Sequence, residues 1–117
     1  IGGDYDFTHC TFANYWDYNH RSTPSILLNN YYEDINGNLH IRDLIANFTN
    51  CIIYGSLSTE VSFPPEEIGA FNYLFDHCLI KLDPTISTSN SHYENVIINQ
   101  SPDFVDAYEN DFHLKQC

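Results

Sequence analysis

Apolar and polar positions follow a short pattern that recurs four times along the chain. The segments are Phe7-Thr8-His9-Cys10-Thr11-Phe12, Phe48-Thr49-Asn50-Cys51-Ile52-Ile53, Phe75-Asp76-His77-Cys78-Leu79-Ile80 and Tyr93-Glu94-Asn95-Val96-Ile97-Ile98. As columns they read aromatic, Thr/Asp/Glu, His/Asn, Cys/Val, then two mostly apolar positions. The aromatic and the Cys/Val column lie three apart, which breaks the period-2 alternation of a continuous strand. Both face one interior only if the backbone bends between them. His and Asn supply that bend, because they tolerate the left-handed conformation better than most residues. Each segment therefore predicts a strand end, a tight bend and a second strand. Stacked about 4.8 Å apart, successive copies place Phe on Phe, Cys on Cys and Ile on Ile. The expected architecture is all-β, a solenoid of strands.

The copies begin at residues 7, 48, 75 and 93, with separations of 41, 27 and 18. A bare coil needs about 20 residues by analogy with other solenoid repeats, so the longer gaps hold insertions or an extra coil. Rungs are expected near 7–14, 48–55, 75–82 and 93–100, in about four to five coils. Ser25-Ile26-Leu27-Leu28-Asn29 offers an extra strand. Residues 31–41 read as a β-hairpin around Asn36-Gly37. Residues 56–70, with Pro64-Pro65, read as a loop on the outside, and 101–117 as a terminal coil.

Composition narrows the function classes. Hydrophobic residues make up 43% and aromatic residues 15%, so the chain folds rather than forming an acidic disordered tail. Four Lys+Arg against 16 Asp+Glu give a formal net charge of -12, which argues against nucleic acid or an anionic membrane as partner. No apolar run approaches the roughly 20 residues that cross a bilayer as a helix. Four cysteines occur without a C-x-x-C pair, which disfavours a zinc ribbon. Both ends read as cut from something longer, with Ile1 continuing earlier coils.

The F-x-[NH]-C-x-I rung, the inserted loops and the Asn-rich bends resemble the right-handed parallel β-helix of pectate-lyase-like and related bacterial surface proteins. The closing run Asn99-Gln100-Ser101-Pro102-Asp103-Phe104-Val105-Asp106, followed by Asp111-Phe112-His113-Leu114, resembles the terminal coil of large β-helix proteins exported by Bacteroidetes-type bacteria. The resemblance implies export to the bacterial surface or outer membrane, or release outside the cell. It also implies neighbours: the remaining coils of a longer chain or another subunit, and outer-membrane partners. An architecture of this kind hosts many functions.

Candidate chemistry is sparse. Cys10, Cys51 and Cys78 share one column and read as buried thiols acting as small hydrophobes; Cys117 lies outside it. His9 and His77 share the bend column with Asn50 and Asn95, which favours a turn role. Asp76 and Glu94 align in one outward column, where paired carboxylates could act on a glycosidic bond or simply oppose aggregation. Asp103, Asp106 and Asp111 could hold Ca²⁺, although no EF-hand or nonapeptide Ca²⁺ loop is present. A polysaccharide lyase needs a basic group, and only Arg21, Arg42, Lys81 and Lys115 are available. Tyr15-Trp16-Asp17-Tyr18-Asn19-His20 sets planar rings beside hydrogen-bonding groups, a mixture suited to a neutral sugar or a protein partner. Its alternative role is packing over the outer wall. Tyr54, in a mixed outward set with Ala13, Lys81 and Asn99, joins Tyr15, Trp16 and Tyr18 as a binding candidate. Thr11, Ile52, Leu79 and Ile97 point outward by parity, and either the 31–41 hairpin or a partner is expected to cover them. The favoured role is a non-catalytic surface module for glycan binding or cell-surface assembly. A glycan-cleaving enzyme of the same fold and a structural stalk or adhesin are the alternatives.

Overall fold

The computed structural model describes residues 1–16, 20–64 and 69–115. Each repeat copy forms two strands. They are β1 (Gly3–Thr8) with β2 (Thr11–Asn14), β6 (Leu44–Thr49) with β7 (Ile52–Gly55), β9 (Phe71–Asp76) with β10 (Leu79–Ile80), and β11 (Tyr93–Glu94) with β12 (Ile97–Ile98). Between the first two copies lie β3 (Ile26–Leu27), β4 (Tyr31–Glu33) and β5 (Leu39–Ile41); β8 (Val61–Ser62) follows the second. The chain closes with β13 (Phe104–Asp106), a 3-10 turn (Ala107–Glu109) and β14 (Asp111–Leu114). The protein is all-β. Among the described residues no helix is long and apolar enough to cross a membrane.

Four-stranded parallel sheets β1-β6-β9-β11 and β2-β7-β10-β12 hold the copies in chain order. Phe7 pairs with Phe48, Phe48 with Phe75 and Phe75 with Tyr93, so the register follows the sequence columns. Between the sheets the backbone turns at His9, Asn50, His77 and Asn95, whose φ angles are 55°, 54°, 54° and 53°. The hydrogen-bond ladder continues through these bends. The amides of His9, Asn50 and His77 donate to Thr49, Asp76 and Glu94 carbonyls at 3.0, 3.0 and 2.9 Å. A left-handed residue thus turns the chain while adjacent copies stay bonded to one another.

The aromatic column forms the spine of the core. Phe7 stacks on Phe48 at 5.1 Å, Phe48 on Phe75 at 4.8 Å and Phe75 on Tyr93 at 5.6 Å. Ile53, Ile80 and Leu82 are buried beside them. The thiols form a second column: Cys51 Sγ donates to the Phe7 carbonyl at 3.5 Å and Cys78 Sγ to the Phe48 carbonyl at 3.3 Å. Cys10, Cys51 and Cys78 are free. Burial pushes the Cys78 thiol up to about 11 and raises Cys51 as well. A thiol held protonated is a poor nucleophile. In native protein near neutral pH, iodoacetamide is expected to label half-buried Cys10 while Cys51 and Cys78 label only after unfolding. Peptide mapping by mass spectrometry checks this; rapid native labelling of Cys78 would refute the buried column.

Three segments differ from the sequence reading. Within the stretch read as an outer loop, β8 pairs in parallel with β3, and Val61 and Glu60 are buried. The 31–41 hairpin forms, pairing Tyr31 with Ile41. Its connection runs Asp34–Asn38, with Gly37 at φ 80° and the Gly37 amide donating to the Asp34 carbonyl. Asp34 Oδ1 accepts from the Asn36 and Asn38 amides, which stabilises this longer loop over a two-residue turn. The last residues form an antiparallel pair, β13 with β14, rather than another parallel rung. Ahead of it, Asn99 acts as a side-chain substitute for a strand: its Oδ1 accepts from the Leu82 amide at 2.9 Å and its Nδ2 donates to the Leu82 carbonyl at 2.7 Å.

Candidate functional site

The chain leaves β2 at Asn14 and enters the aromatic loop. Beyond residues 17–19, which lie outside the described residues, Arg21 forms a salt bridge with Glu60. Arg21 donates to both Glu60 oxygens, Nη1 to Oε1 at 2.9 Å and Nη2 to Oε2 at 2.6 Å. Oε1 also accepts from the Ser25 amide and hydroxyl at 3.1 and 3.0 Å, and Oε2 from the Leu57 amide at 3.1 Å. Arg21 bonds the Asn14 carbonyl at 2.8 Å as well. Burial pushes the Glu60 carboxyl up, but the Arg21, Leu57 and Ser25 donors outweigh it and hold the group below its ordinary value. Gly55 makes room for the carboxylate, since a Cβ there would collide with Glu60 Oε2 and with the Asn14 carbonyl.

Tyr15 and Trp16 meet the closing hairpin. Tyr15 sits edge-on to Tyr108 at 5.3 Å and Phe104 at 6.0 Å, and tilted against Phe112 at 6.2 Å. Ala13, Asn14, Tyr15, Trp16, Tyr108, Asn110 and Phe112 line a cleft of about 200 Å³. Trp16 is 52% exposed and Tyr108 55%, so two broad ring surfaces reach solvent beside the Asn14 and Asn110 residues. Asn110 has φ 62°, which re-aims the chain between the 3-10 turn and β14. Burial, then the neighbouring Tyr54, Tyr108 and Glu60, push the Tyr15 phenol up to about 12. Tyr15 therefore stays a neutral hydroxyl across the physiological range.

The cleft brings together Tyr15 and Trp16 from the sequence candidates. Tyr18 lies outside the described residues, as does Cys117. Tyr54 is 8% exposed, with Lys81 Nζ 4.7 Å from its ring centre. It belongs to the wall rather than to a solvated outward set, with the Lys81 cation over its ring. Tyr108, Asn110 and Phe112 were not singled out in the sequence; the four-residue spacing of Phe104, Tyr108 and Phe112 was the available signal.

The other candidates are dispersed. Asp76 and Glu94 are register neighbours, yet neither lines the aromatic cleft or the two other clefts described, and Asp76 Oδ1 is engaged by His77 Nδ1 at 2.5 Å. Asp106 pairs with Asp111 across the closing hairpin, Asp111 Oδ1 contacts His113 Nδ1 at 2.7 Å, and Asp103 turns the backbone at φ 57°. Among the described residues no group of three or more His, Cys, Asp or Glu side chains is placed to hold a metal ion. Ile52, Leu79 and Ile97 lie along a shallow groove with Asn50, His77 and Asn95, and the 31–41 hairpin is not among the segments lining it. Comparison with protein-family models, curated proteins and solved structures finds no match.

Proposed function

We propose that the chain is a module of a right-handed parallel β-helix from an exported bacterial surface protein, and that it binds neutral glycan without cleaving it. The β-helix reading is supported by parallel, in-register copies joined at left-handed His and Asn bends. The glycan reading is carried by one observation, the cleft where Trp16, Tyr15 and Tyr108 stand beside Asn14 and Asn110. Apolar sugar faces pack on exposed rings, while amides and a neutral phenol exchange hydrogen bonds with hydroxyl groups. The net charge of -12 favours uncharged over acidic sugars. The paired carboxylates Asp76 and Glu94 lie away from this cleft's lining, which sets glycan cleavage second.

Trp16 is the single tryptophan, so its fluorescence reports directly on the cleft. Titration with a panel of neutral oligosaccharides is expected to shift the Trp16 emission with at least one member. Tyr108→Ala should weaken that response about tenfold or more, the loss expected when one stacking ring is removed from a pocket. An unchanged response in Tyr108→Ala, or an equal response to acidic oligosaccharides, would overturn the reading.

A further inference from the structure

Asn36-Gly37 sits at the tip of the 31–41 hairpin, which is inserted between the first and second copies. Of thirteen asparagines in the chain, Asn36 alone precedes glycine. That order matters chemically. The backbone nitrogen that follows an asparagine can attack its side-chain carbonyl carbon, and glycine, lacking a Cβ, crowds that nitrogen least. The surroundings are open too: a Cβ added at Gly37 would meet only Glu33 Oε1, at 3.5 Å. Asn36 and Gly37 are exposed, and Ile35 beside them is fully so. Among the described residues nothing bonds the Asn36 side chain.

Asn90-Ser91 is the nearest rival. It is exposed, but Asn90 Nδ2 donates to the Ser87 carbonyl at 3.2 Å and Oδ1 accepts from the His92 amide at 3.0 Å, so that side chain is tied. At the hairpin tip one bond restrains the reaction. The Gly37 amide donates to the Asp34 carbonyl at 3.0 Å and must leave it to lose its proton. Bonds at an exposed loop tip open at little cost, so the turn slows the attack without stopping it.

We propose that Asn36 is a self-modification site. Gly37 N attacks Asn36 Cγ and gives its proton to hydroxide; the Cγ–Nδ2 bond breaks, and ammonia leaves with a proton from water. The five-membered imide then takes up water at either carbonyl, giving aspartate or isoaspartate at position 36. Water and hydroxide are the only co-reactants. The change falls on the residue that organises the loop. Asp34 holds the Asn36 and Asn38 amides on Oδ1 and His40 Nε2 on Oδ2, at 2.9, 2.9 and 2.8 Å. Either product sets a new carboxylate beside Asp34 and Glu33, where like charges repel. Isoaspartate also adds a carbon to the main chain between the Asn36 and Gly37 amides, so Asp34 no longer meets both of its amides in one geometry. His40, stacked on Tyr32 at 4.8 Å, then loses its carboxylate partner. Aged molecules thus differ from new ones in charge and shape at the tip of the insertion.

The test incubates the whole chain in warm, mildly alkaline buffer and samples it over days for peptide mapping, isoaspartate content and released ammonia. Position 36 is expected to convert at least about tenfold faster than position 90, with isoaspartate among the products and ammonia in proportion. Asn36→Gln keeps the backbone amide that Asp34 holds and should end the release from that site, because its longer side chain closes a ring poorly. His40 ring signals in NMR spectra should move in step with conversion, while Trp16 emission stays constant, which keeps this test independent of the glycan cleft. Four results overturn the proposal: position 36 intact in the native chain while the urea-unfolded chain converts, position 90 converting as fast, undiminished ammonia release from Asn36→Gln, or conversion that leaves the His40 signals unmoved.

Discussion

Glu60→Ala is expected to cost about 3–5 kcal/mol of stability, the range for breaking a buried ion pair from one side. The Glu60 side chain is fully buried and accepts from Arg21, Ser25 and Leu57, so its removal strands a guanidinium and two backbone amides together. Urea denaturation measures the change; a loss under about 1 kcal/mol, the net worth of one ordinary hydrogen bond, would show that the site relaxes or admits water freely. Glu60→Gln should fall between, because it keeps the shape and loses the charge. The pH dependence has a definite sign. A carboxyl held below its ordinary 4.5 contributes stability that is present above that value and lost as pH falls through the lower, folded value. The Glu60→Ala variant should therefore show a flatter acid limb in its stability curve. Arg21 also grips Asn14, so the same variant should loosen Tyr15 and Trp16 and lower any glycan response.

Phe48→Ala carries the second large effect, about 3–5 kcal/mol for deleting a buried aromatic ring. Phe48 is 1% exposed, stacked on both faces at 5.1 and 4.8 Å, with Phe12 edge-on at 6.2 Å. Phe7→Ala at the open end removes a half-buried ring with one stacked Phe neighbour and should cost clearly less. Thermal or urea unfolding of both variants makes the comparison. Equal losses would mean that the end of the column is as enclosed as its middle.

The repeated columns were legible because the interactions they encode are local and recur. Phe7, Phe48, Phe75 and Tyr93 meet one another through identical spacing to a bend, and His9, Asn50, His77 and Asn95 each solve the same backbone problem with the same kind of residue. Glu60 was not legible. It lies 39 residues from Arg21, in a stretch whose prolines and serines suggest a loop, and no spacing links an acid to a base brought together only by stacking. Half the cleft was hidden for the same reason. Tyr15 and Trp16 stand out as a cluster, but Tyr108, Asn110 and Phe112 gain meaning only when the closing hairpin returns to the first copy. Tyr54 shows the converse: strand parity pointed it outward, yet it is buried, with Lys81 over its ring.

The unequal spacing of the copies has a thermodynamic reading. Pairing the first two copies closes a loop of 41 residues, while the last two close one of 18. By the logarithmic growth of closure entropy, the longer loop costs only about 0.7 kcal/mol more. That is within the stabilisation of a single aromatic contact, about 0.5–1.5 kcal/mol beyond its burial. Length inserted between strands is therefore nearly free, provided the bends and the aromatic column stay in register. The 31–41 hairpin and the β3–β8 pair show what such inexpensive length can become: surface of differing shape carried on one regular wall.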